Sequence, residues 1–243
     1  MKQRRFSSFR GGIEIRSSTR KYVRPQRPDR DLRRCLAELE VKNQHLEALI
    51  HRLETLARTD DLTGLGNRRW LNEMLQRAWA EAVRNDRPLA FMMIDLDGFK
   101  ATNDTIGHLG GDEVLRRTAR LIEANCRQVD VPARYGGDEF CVLMPETNAH
   151  EAVRVAERIL REHDSANRAA PTGEPRLGIS IGISHIDLSR PVNAEQLIRH
   201  ADQAMYAAKS APNQRIMLRG TAGVFASPSA DRRLTPYRTA SGK

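Results

Sequence analysis

Two acidic segments of this sequence adjoin apolar runs that predict buried strands. Asp95 ends the apolar run that starts at Leu89. Asp138 and Glu139 open the apolar run that ends at Met144. Ionised carboxylates at the ends of buried strands cost free energy unless they are paired or bind a metal ion. If the two strands are neighbours, Asp95 and Asp138 converge, and such oxygen ligands suit Mg²⁺ or Mn²⁺ together with a phosphate substrate. The alternative is that these acids only cap turns.

Gly136 and Gly137 stand directly before the second acidic segment. They predict a two-residue β-hairpin turn, because such a turn needs positive φ angles, which glycine adopts freely. Their lack of side chains would also let a flat ring or a phosphate approach the turn closely. An ordinary hairpin that binds no ligand is the alternative.

The elements that must position these residues alternate between helix and strand patterns. Apolar residues recur at helical spacing in four segments, and short apolar runs bounded by turn residues mark the strands. The predicted helices are 69–83, 111–126, 151–162 and 193–210, and the predicted strands are 89–95, 133–135, 139–144 and 177–184, with 214–218 as an edge strand. The core order β-α-β-β-α-β predicts a ferredoxin-like α/β sandwich.

Residues 32–57 carry a seam with alternating steps of four and three residues, which is the spacing of a coiled coil. The seam positions are Leu32, Leu36, Leu39, Asn43, Leu46, Ile50, Leu53 and Ala57. A single Asn in such a seam favours a parallel two-stranded coil and fixes its register. We therefore predict a dimerisation helix over residues 32–59. The alternative is an amphipathic helix that packs on its own domain through Leu49 and Leu56.

The net charge of the 243-residue chain, +9, is concentrated at its ends. Residues 1–34 hold 12 Lys and Arg against three acids, residues 219–243 hold five against one, and residues 35–218 hold 23 against 27. We expect a disordered basic arm over residues 1–31 and a flexible tail over residues 219–243. The body is mildly acidic, so no specific nucleic-acid binding is expected. The arm would meet an anionic membrane surface or an acidic partner, or remain a solvated tail.

The three cysteines form no CxxC pair, which argues against a disulfide framework or a zinc site and favours a reducing compartment. The longest apolar run, residues 89–94, is too short to span a bilayer, and the sequence shows no signal-peptide pattern. We therefore expect a cytoplasmic protein, with peripheral attachment at the inner membrane face as an alternative.

A series of motifs connects these features to a known family. The segment Arg134-Tyr135-Gly136-Gly137-Asp138-Glu139-Phe140 resembles the signature of GGDEF-domain diguanylate cyclases, bacterial enzymes that make cyclic di-GMP. Further segments resemble the rest of that domain in the expected order: Asp61 to Leu65 with Asn67 to Arg69, Asp95 to Lys100 with Asn103-Asp104, Gly107-His108, Gly111-Asp112, Ser180 to Ile183, and Ala201 to Tyr206 with Ala208-Lys209. They cover residues 60–218, which are identified as a GGDEF catalytic domain with the palm-like nucleotidyl cyclase fold.

The resemblance implies a role for each matching residue. It assigns Mg²⁺ or Mn²⁺, two ions per half-site, to Asp95, the Leu96 carbonyl and Asp138. It makes Glu139 a further catalytic carboxylate, near the 3′-hydroxyl or the second metal ion. It places GTP against a second set of residues: Phe99, Lys100, Asn103, His108, Asp112, Gly136, Gly137 and Lys209. Within this set Asn103 and Asp112 would hydrogen-bond the guanine, with His108 nearby. The amides around Phe99 and Lys100 and the side chains of Lys100 and Lys209 would meet the triphosphate.

The implied reaction joins two GTP molecules into cyclic di-GMP, and the protein contributes mainly positioning and charge stabilisation. Each domain of the family binds one GTP and the product forms where two domains face each other, so a homodimer is expected. The predicted coiled coil would raise the effective concentration of one half-site for the other. Arg127 and Asp130 match the family's RxxD site, where the product inhibits its own synthesis, with a surface ion pair as the alternative.

The match departs from the family after Lys209. The family commonly continues with Gly-Arg-Asn, whose Arg contacts phosphate, but Asn213 stands at that Arg position and Arg215 follows two residues later. Losing one cationic contact would weaken GTP binding more than it alters the chemistry. A catalytically weak or inactive effector that binds cyclic di-GMP is therefore the alternative function. A different palm-like nucleotidyl cyclase or polymerase is a third reading, which the guanine-binding residues disfavour.

Overall fold

The computed structural model describes residues 30–171, 175–211, 214–220 and 225–226. Nearly all of the predicted basic arm, most of the predicted C-terminal tail and Asn213 lie outside these residues. The chain divides into two units between Leu49 and Ile50. In the part of the chain that the structure describes, every helix is too short or too polar to span a lipid bilayer.

Helix α1, Arg30–Arg58, covers all but the last residue of the predicted segment 32–59, so the helical structure of that segment is confirmed. Side chains are described there for residues 32–49. The four seam leucines in that range are about half exposed: Leu32 53%, Leu36 50%, Leu39 56% and Leu46 55%. The side chains of Ile50, Leu53 and Ala57 lie outside the described residues. Pairing of this helix with a second copy stays a prediction.

A mixed sheet forms the centre of the second unit, and its order over the described residues is β1-β3-β4-β2-β5-β6-β7. In chain order the strands are β1 (Gly66–Asn67), β2 (Leu89–Asp97), β3 (Val131–Arg134), β4 (Glu139–Pro145), β5 (Gly178–His185), β6 (Ile216–Arg219) and β7 (Phe225–Ala226). Strands β3, β4, β2 and β5 are antiparallel neighbours, as a ferredoxin-like β-α-β-β-α-β core requires. The predicted fold class is confirmed.

Helices cover both faces of this sheet. Helices α3 (Phe99–Ala124) and α4 (Ala149–Ala169) pack on one face, while α2 (Arg68–Asn85) and α6 (Ala194–Ser210) pack on the other, and α5 (Ile186–Ser189) is a single turn. The alternation of side chains along β2 produces these two layers. Its residues Ala90, Met92, Ile94 and Leu96 face α3 and α4, and Leu89, Phe91 and Met93 face α2 and α6.

The predicted start of the third helix is wrong. Helix α3 begins at Phe99, not at Gly111, and it is broken at Gly107, where φ is 77°. A φ in this left-handed region suits glycine, which has no side chain to clash with the backbone. The first half of the helix has little apolar periodicity, because it is rich in Asn, Asp and Thr. Periodicity alone therefore could not place its start.

The predicted two-residue turn is also wrong. Residues 135–138 connect β3 to β4, and neither Gly136 nor Gly137 has a positive φ. The amides of Tyr135 and Gly136 both donate to the Glu139 carbonyl, at 2.8 and 3.3 Å. One carbonyl oxygen that accepts two hydrogen bonds therefore closes the turn. The backbone conformation of the turn does not require glycine at position 136 or 137.

Candidate active site

The alternation that builds the core also decides where the acidic side chains point. Ile94 and Leu96 are buried toward α3 and α4, so Asp95 between them faces α6. In the sheet register Asp95 lies opposite Glu139 on β4 and opposite Ser180 on β5. Three neighbouring strands therefore contribute to one acidic site at this end of the sheet.

A lysine from α6 contacts the most buried of these acids. Asp95 is 4% exposed, and its Oδ1 lies 2.7 Å from the Nζ of Lys209 in the last turn of the helix. Burial raises the pKa of Asp95 to about 6, the charges of Asp138 and Glu139 add to this, and Lys209 opposes it. Burial alone would lower the pKa of Lys209, but the contact with Asp95 outweighs that and raises it. The site thus holds a buried carboxylate with a cation against it.

The predicted metal ligands are neighbours in this arrangement. The Leu96 N–H donates to the Asp138 carbonyl at 3.3 Å, which ties the end of β2 to the residue that precedes β4. The predicted set consists of two carboxylates and one carbonyl, all oxygen donors, as Mg²⁺ prefers. Within the described ranges no three side chains of His, Cys, Asp or Glu form a metal-binding group. The donor chemistry of this set fits a divalent ion, which would share the Asp95 carboxylate with Lys209.

An arginine that sequence reasoning did not select holds the Gly-Gly turn in place. The Nε and Nη2 of Arg134 donate to the Gly137 carbonyl at 3.1 and 2.8 Å, and Nη1 donates to both carboxylate oxygens of Asp60 at 3.2 and 3.3 Å. Thr63 donates to the same carboxylate through its amide and hydroxyl, at 3.0 and 2.7 Å. A Cβ on Gly136 would lie 2.8 Å from Glu139 Oε2, so that glycine makes room for the acid.

The predicted guanine residues flank the break at Gly107. Asn103 lies before it, and a Cβ on Gly111 would come 1.7 Å from the Asn103 Oδ1, so only glycine allows this approach. That Oδ1 is buried and has no hydrogen-bond partner among the described residues. Asp112 follows Gly111 directly and is partly exposed, whereas His108 is exposed. The break thus brings Asn103 beside the turn of helix that carries Asp112.

The start of α3 offers free backbone donors. Gly98 is the N-cap residue in a left-handed conformation, with φ 76°, and as a glycine it supplies no side-chain cap. The Thr102 amide donates to the Gly98 carbonyl at 3.1 Å, so the amides of Phe99 and Lys100 precede the first intrahelical bond. Such amides, together with the helix dipole, favour a phosphate.

Two pockets lie on either side of Lys209, which lines both. One, of about 480 Å³, is lined by Asp97, Gly98, Ser180, Ala208, Lys209, Ala211 and Arg215. The other, of about 690 Å³, is lined by Glu139, Asp202, Gln203, Met205, Tyr206, Ala207, Lys209 and Arg219. The first is therefore lined by two cations and by Asp97 and Gly98, which directly precede α3, and the second is lined by the predicted catalytic Glu139.

The predicted product-inhibition residues form a closed turn. The Arg127 amide donates to Asp130 Oδ2 at 2.7 Å, and the Asp130 amide donates to the Arg127 carbonyl at 3.0 Å. Asp130 is 8% exposed, and burial raises its pKa while the charges of Arg127 and Arg158 oppose this. The Arg127 side chain is exposed. Arg158, which no sequence motif singled out, also donates to the side chain of Asn125 at 2.6 Å.

The sequence of this chain is similar to a known protein family and to characterised proteins. A family model described as "Diguanylate cyclase, GGDEF domain" matches residues 57–215. The response regulator PleD of Caulobacter vibrioides is 42% identical over 164 residues, which are 67% of this chain and 36% of PleD. The diguanylate cyclase DosC of Escherichia coli is 39% identical over 159 residues, which are 65% of this chain and 34% of DosC. The chain thus spans about a third of the length of these curated relatives.

A solved structure is similar over a longer part of the chain. It contains the coiled coil and GGDEF domain of DgcB from Caulobacter crescentus in complex with c-di-GMP. The TM-score is 0.70 at 28% identity, and the match covers 77% of this chain and 99% of that one.

Proposed function

Because this chain belongs to the GGDEF-domain diguanylate cyclase family, we propose that it condenses two GTP molecules into cyclic di-GMP and two pyrophosphates. One observation carries the proposal: Asp95 and Glu139 are opposite residues on neighbouring strands, with Lys209 2.7 Å from Asp95. A buried acidic site of this kind suits a reaction whose charge moves among phosphate oxygens and which needs preorganised charges around it.

The reaction consists of two equivalent steps. In each, the 3′-hydroxyl oxygen of one GTP bonds to the α-phosphorus of the other, the bond to the pyrophosphate oxygen breaks, and the hydroxyl loses its proton. We assign the binding of Mg²⁺ or Mn²⁺, two ions per half-site, to Asp95, the Leu96 carbonyl and Asp138. When bound, such ions neutralise phosphate charge and lower the pKa of the attacking hydroxyl. Glu139 is assigned to the hydroxyl side, since it lines the pocket away from the start of α3.

The remaining residues would orient the substrate. Asn103 and Asp112 offer an acceptor and donor pattern for a guanine edge, and His108 lies near them in sequence. The amides of Phe99 and Lys100 and the two lysines, Lys100 and Lys209, are assigned to the triphosphate. Gly136 and Gly137 are assigned to close approach of the nucleotide.

A homodimer would complete the reaction, because the two GTP molecules must meet face to face. The half-exposed leucines of α1 support pairing of this helix with a second copy, since a coiled-coil seam would bury them. Joining two half-sites in this way raises their effective concentration and therefore the rate at which they meet.

Product inhibition is proposed at Arg127 and Asp130. The exposed Arg127 guanidinium would stack on a guanine or contact a phosphate of cyclic di-GMP. Asp130 Oδ2 already accepts from the Arg127 amide, so only Oδ1, which is buried and has no partner in the described part of the chain, would serve the ligand.

Turnover of GTP, measured against protein concentration, tests the proposal. With GTP and Mg²⁺ the protein should form cyclic di-GMP, and the rate per chain should rise with concentration until dimerisation saturates. The Asp138→Ala variant should make no product. Glu123→Gln, which changes an exposed acid in the far half of α3, should retain the rate of the unaltered protein. Absence of product at every concentration would overturn the proposal.

An effector without synthesis is the second candidate, and Asn213 at the expected Arg position favours it. It predicts that the protein binds cyclic di-GMP, that Arg127→Ala abolishes this binding, and that GTP gives no product. Calorimetry with cyclic di-GMP, run beside the turnover assay, separates the two candidates.

The basic arm is assigned to an anionic membrane face or an acidic partner, on a protein that acts in the cytoplasm. Residues 1–34 carry 12 Lys and Arg against three acids, enough charge for such a surface. Removal of residues 1–29 should reduce sedimentation with vesicles that contain anionic lipid. Unchanged sedimentation would exclude the membrane assignment.

A further inference from the structure

The family's usual phosphate-binding Arg is replaced in this chain by Asn213, so the triphosphate would have one cation fewer. A nucleoside triphosphate carries several negative charges, and a site that lacks cations for its outer phosphates binds it weakly. Any replacement must come from a cation that reaches the pocket between the start of α3 and Lys209.

Arg215 is such a cation. It lines the pocket of about 480 Å³ together with Gly98, which precedes α3, and Lys209. It lies just before β6, and its carbonyl accepts the Ile181 amide at 2.8 Å, which fixes its backbone against the sheet. Arg215 does not line the pocket that contains Glu139. It is therefore on the side of Lys209 that lies away from the proposed reacting hydroxyl.

The guanidinium of Arg215 is held in place and still has unused donors. Its Nε donates to the Ile179 carbonyl at 3.0 Å, and its Nη1 donates to Asp164 Oδ1 at 2.8 Å. Its Nη2 has no acceptor among the described residues, although that atom is shielded from solvent. The side chain as a whole is 31% exposed. A buried N–H group without an acceptor costs free energy, which an anionic oxygen would recover.

We propose that Arg215 contacts the outer phosphates of GTP and takes over the role of the missing arginine at position 213. This inference rests on the proposed function, since it assumes that the pocket at the start of α3 receives the triphosphate. Lys209 and Arg215, each paired with one acid, then line the same pocket as Gly98, the residue that precedes α3. Planar guanidinium groups match phosphate oxygens through paired donors, which a lysine cannot do.

A merely structural role for Arg215 makes a different prediction. The ion pair with Asp164 links the residue before β6 to α4, and Arg215→Gln also loses the bond to the Ile179 carbonyl. A structural role therefore predicts a lower melting temperature in both variants and parallel loss of GMP and analogue binding. Only loss of the arginine removes a cation from the pocket. Asp164→Asn breaks the same ion pair but leaves Arg215 with more of its charge for the ligand. The two variants, Arg215→Gln and Asp164→Asn, therefore form a matched comparison.

The experiment measures binding of two nucleotides by calorimetry in the presence of Mg²⁺. They are GMP and a GTP analogue with a methylene group between the α- and β-phosphates. We expect Arg215→Gln to weaken analogue binding about tenfold, as loss of one charge-assisted hydrogen bond would. GMP binding should stay unchanged, Asp164→Asn should bind the analogue at least as tightly as the unaltered protein, and Arg215→Lys should recover part of the loss. In turnover assays, KM for GTP should rise more than kcat falls.

Several results would overturn the assignment. The first is that Arg215→Gln and Asp164→Asn weaken binding of the analogue equally, and the second is that Arg215→Gln weakens binding of GMP and of the analogue equally. The others are that Arg215→Gln leaves analogue binding unchanged, or that the unaltered protein binds neither nucleotide. Unchanged binding in an active enzyme rejects the role of Arg215 and leaves the cyclase proposal standing. Arg215-dependent binding in a protein that makes no product rejects the cyclase proposal alone.

Discussion

The contact of Arg134 with Asp60 and Gly137 supports a quantitative prediction, because one side chain holds the turn that precedes the acidic segment. Replacing Arg134 by Gln removes two hydrogen bonds to the Gly137 carbonyl and the pair with Asp60. The ion pair is partly screened, since its side chains are 17% and 23% exposed, and we assign it about 1 kcal/mol. Charge-assisted bonds to the carbonyl contribute about 1–2 kcal/mol more. The expected loss of unfolding free energy is therefore about 2–3 kcal/mol.

A double-mutant cycle isolates the ion pair from the rest. Arg134→Gln, Asp60→Asn and the double variant would be unfolded in urea at neutral pH, beside the unaltered protein. Asn at position 60 still accepts from Thr63, so Asp60→Asn should cost only about 1 kcal/mol. The double variant should cost less than the sum of the two single changes, with a coupling free energy of about 1 kcal/mol.

The same pair predicts a pH dependence. Burial alone would raise the pKa of Asp60, but the hydrogen bonds from Thr63 and the charge of Arg134 outweigh it and lower the pKa. The folded protein therefore holds the ionised form more tightly than the unfolded chain does. The resulting contribution to the unfolding free energy is fully present above the ordinary Asp pKa of 3.8. It is lost as the pH falls through the lower pKa that Asp60 has in the folded protein. Asp60→Asn should remove this part of the acid sensitivity.

Catalysis separates the two contacts of Arg134. If its bonds to Gly137 position Asp138 and Glu139, Arg134→Gln should lower kcat strongly, whereas Asp60→Asn should retain most of the rate. A coupling free energy near zero would refute the assigned ion pair. Equal rates in the two variants would refute the role of the Gly137 contact in positioning the acids.

Three further predictions follow from buried groups. Burial, helped by the charge of Arg215, lowers the pKa of His163 to about 4. The unfolding free energy should therefore fall as the pH drops from about 6.5 to 4, by about 3 kcal/mol more than in His163→Gln. Urea unfolding at several pH values measures this difference. Lys209→Gln leaves buried Asp95 without its cation and should therefore lower the melting temperature. Mg²⁺ should raise the melting temperature more in this variant than in the unaltered protein, because the ion would no longer compete with Lys209 for the Asp95 carboxylate. Gly111→Ala should displace Asn103 and reduce the preference for GTP over ATP about tenfold in competition assays.

Each of these has a result that would contradict it. The histidine prediction is wrong if the unaltered protein and its Gln variant lose stability in parallel. Equal stabilisation of both proteins by Mg²⁺ would show that the ion and Lys209 do not meet at the same carboxylate. Unchanged nucleotide preference in the alanine variant would remove Asn103 from guanine recognition.

Much of the fold could be predicted because it is expressed in local patterns. Continuous apolar runs mark β2 and β4, and the core order β-α-β-β-α-β follows from the order of patterns along the chain. The positions of Asp95, close to the end of β2, and of Glu139, at the start of β4, are also local properties. The family assignment rests on ordered motifs, and the match over residues 57–215 confirms it.

Two local structures escaped this reasoning for identifiable reasons. The first half of α3 has polar residues where a helix that packs on a core would have apolar ones, so its start at Phe99 left no periodic signal. The turn at Gly136 and Gly137 is set by a shared acceptor, the Glu139 carbonyl, and by Arg134 from outside the turn. Turn statistics consider only the residues within the turn and therefore predicted a different geometry.

The sequence by itself determined the family, the core strands and the residue types at their ends, because these depend on spacing along one chain. Only the tertiary structure decided which side chains meet. Lys209 reaches Asp95, and Arg134 reaches Asp60, a residue 74 positions earlier in the chain. Such contacts depend on the height and rotation of each helix and strand in the packed layers. Those quantities are set by how all the core side chains fit together, and no spacing within one segment contains them.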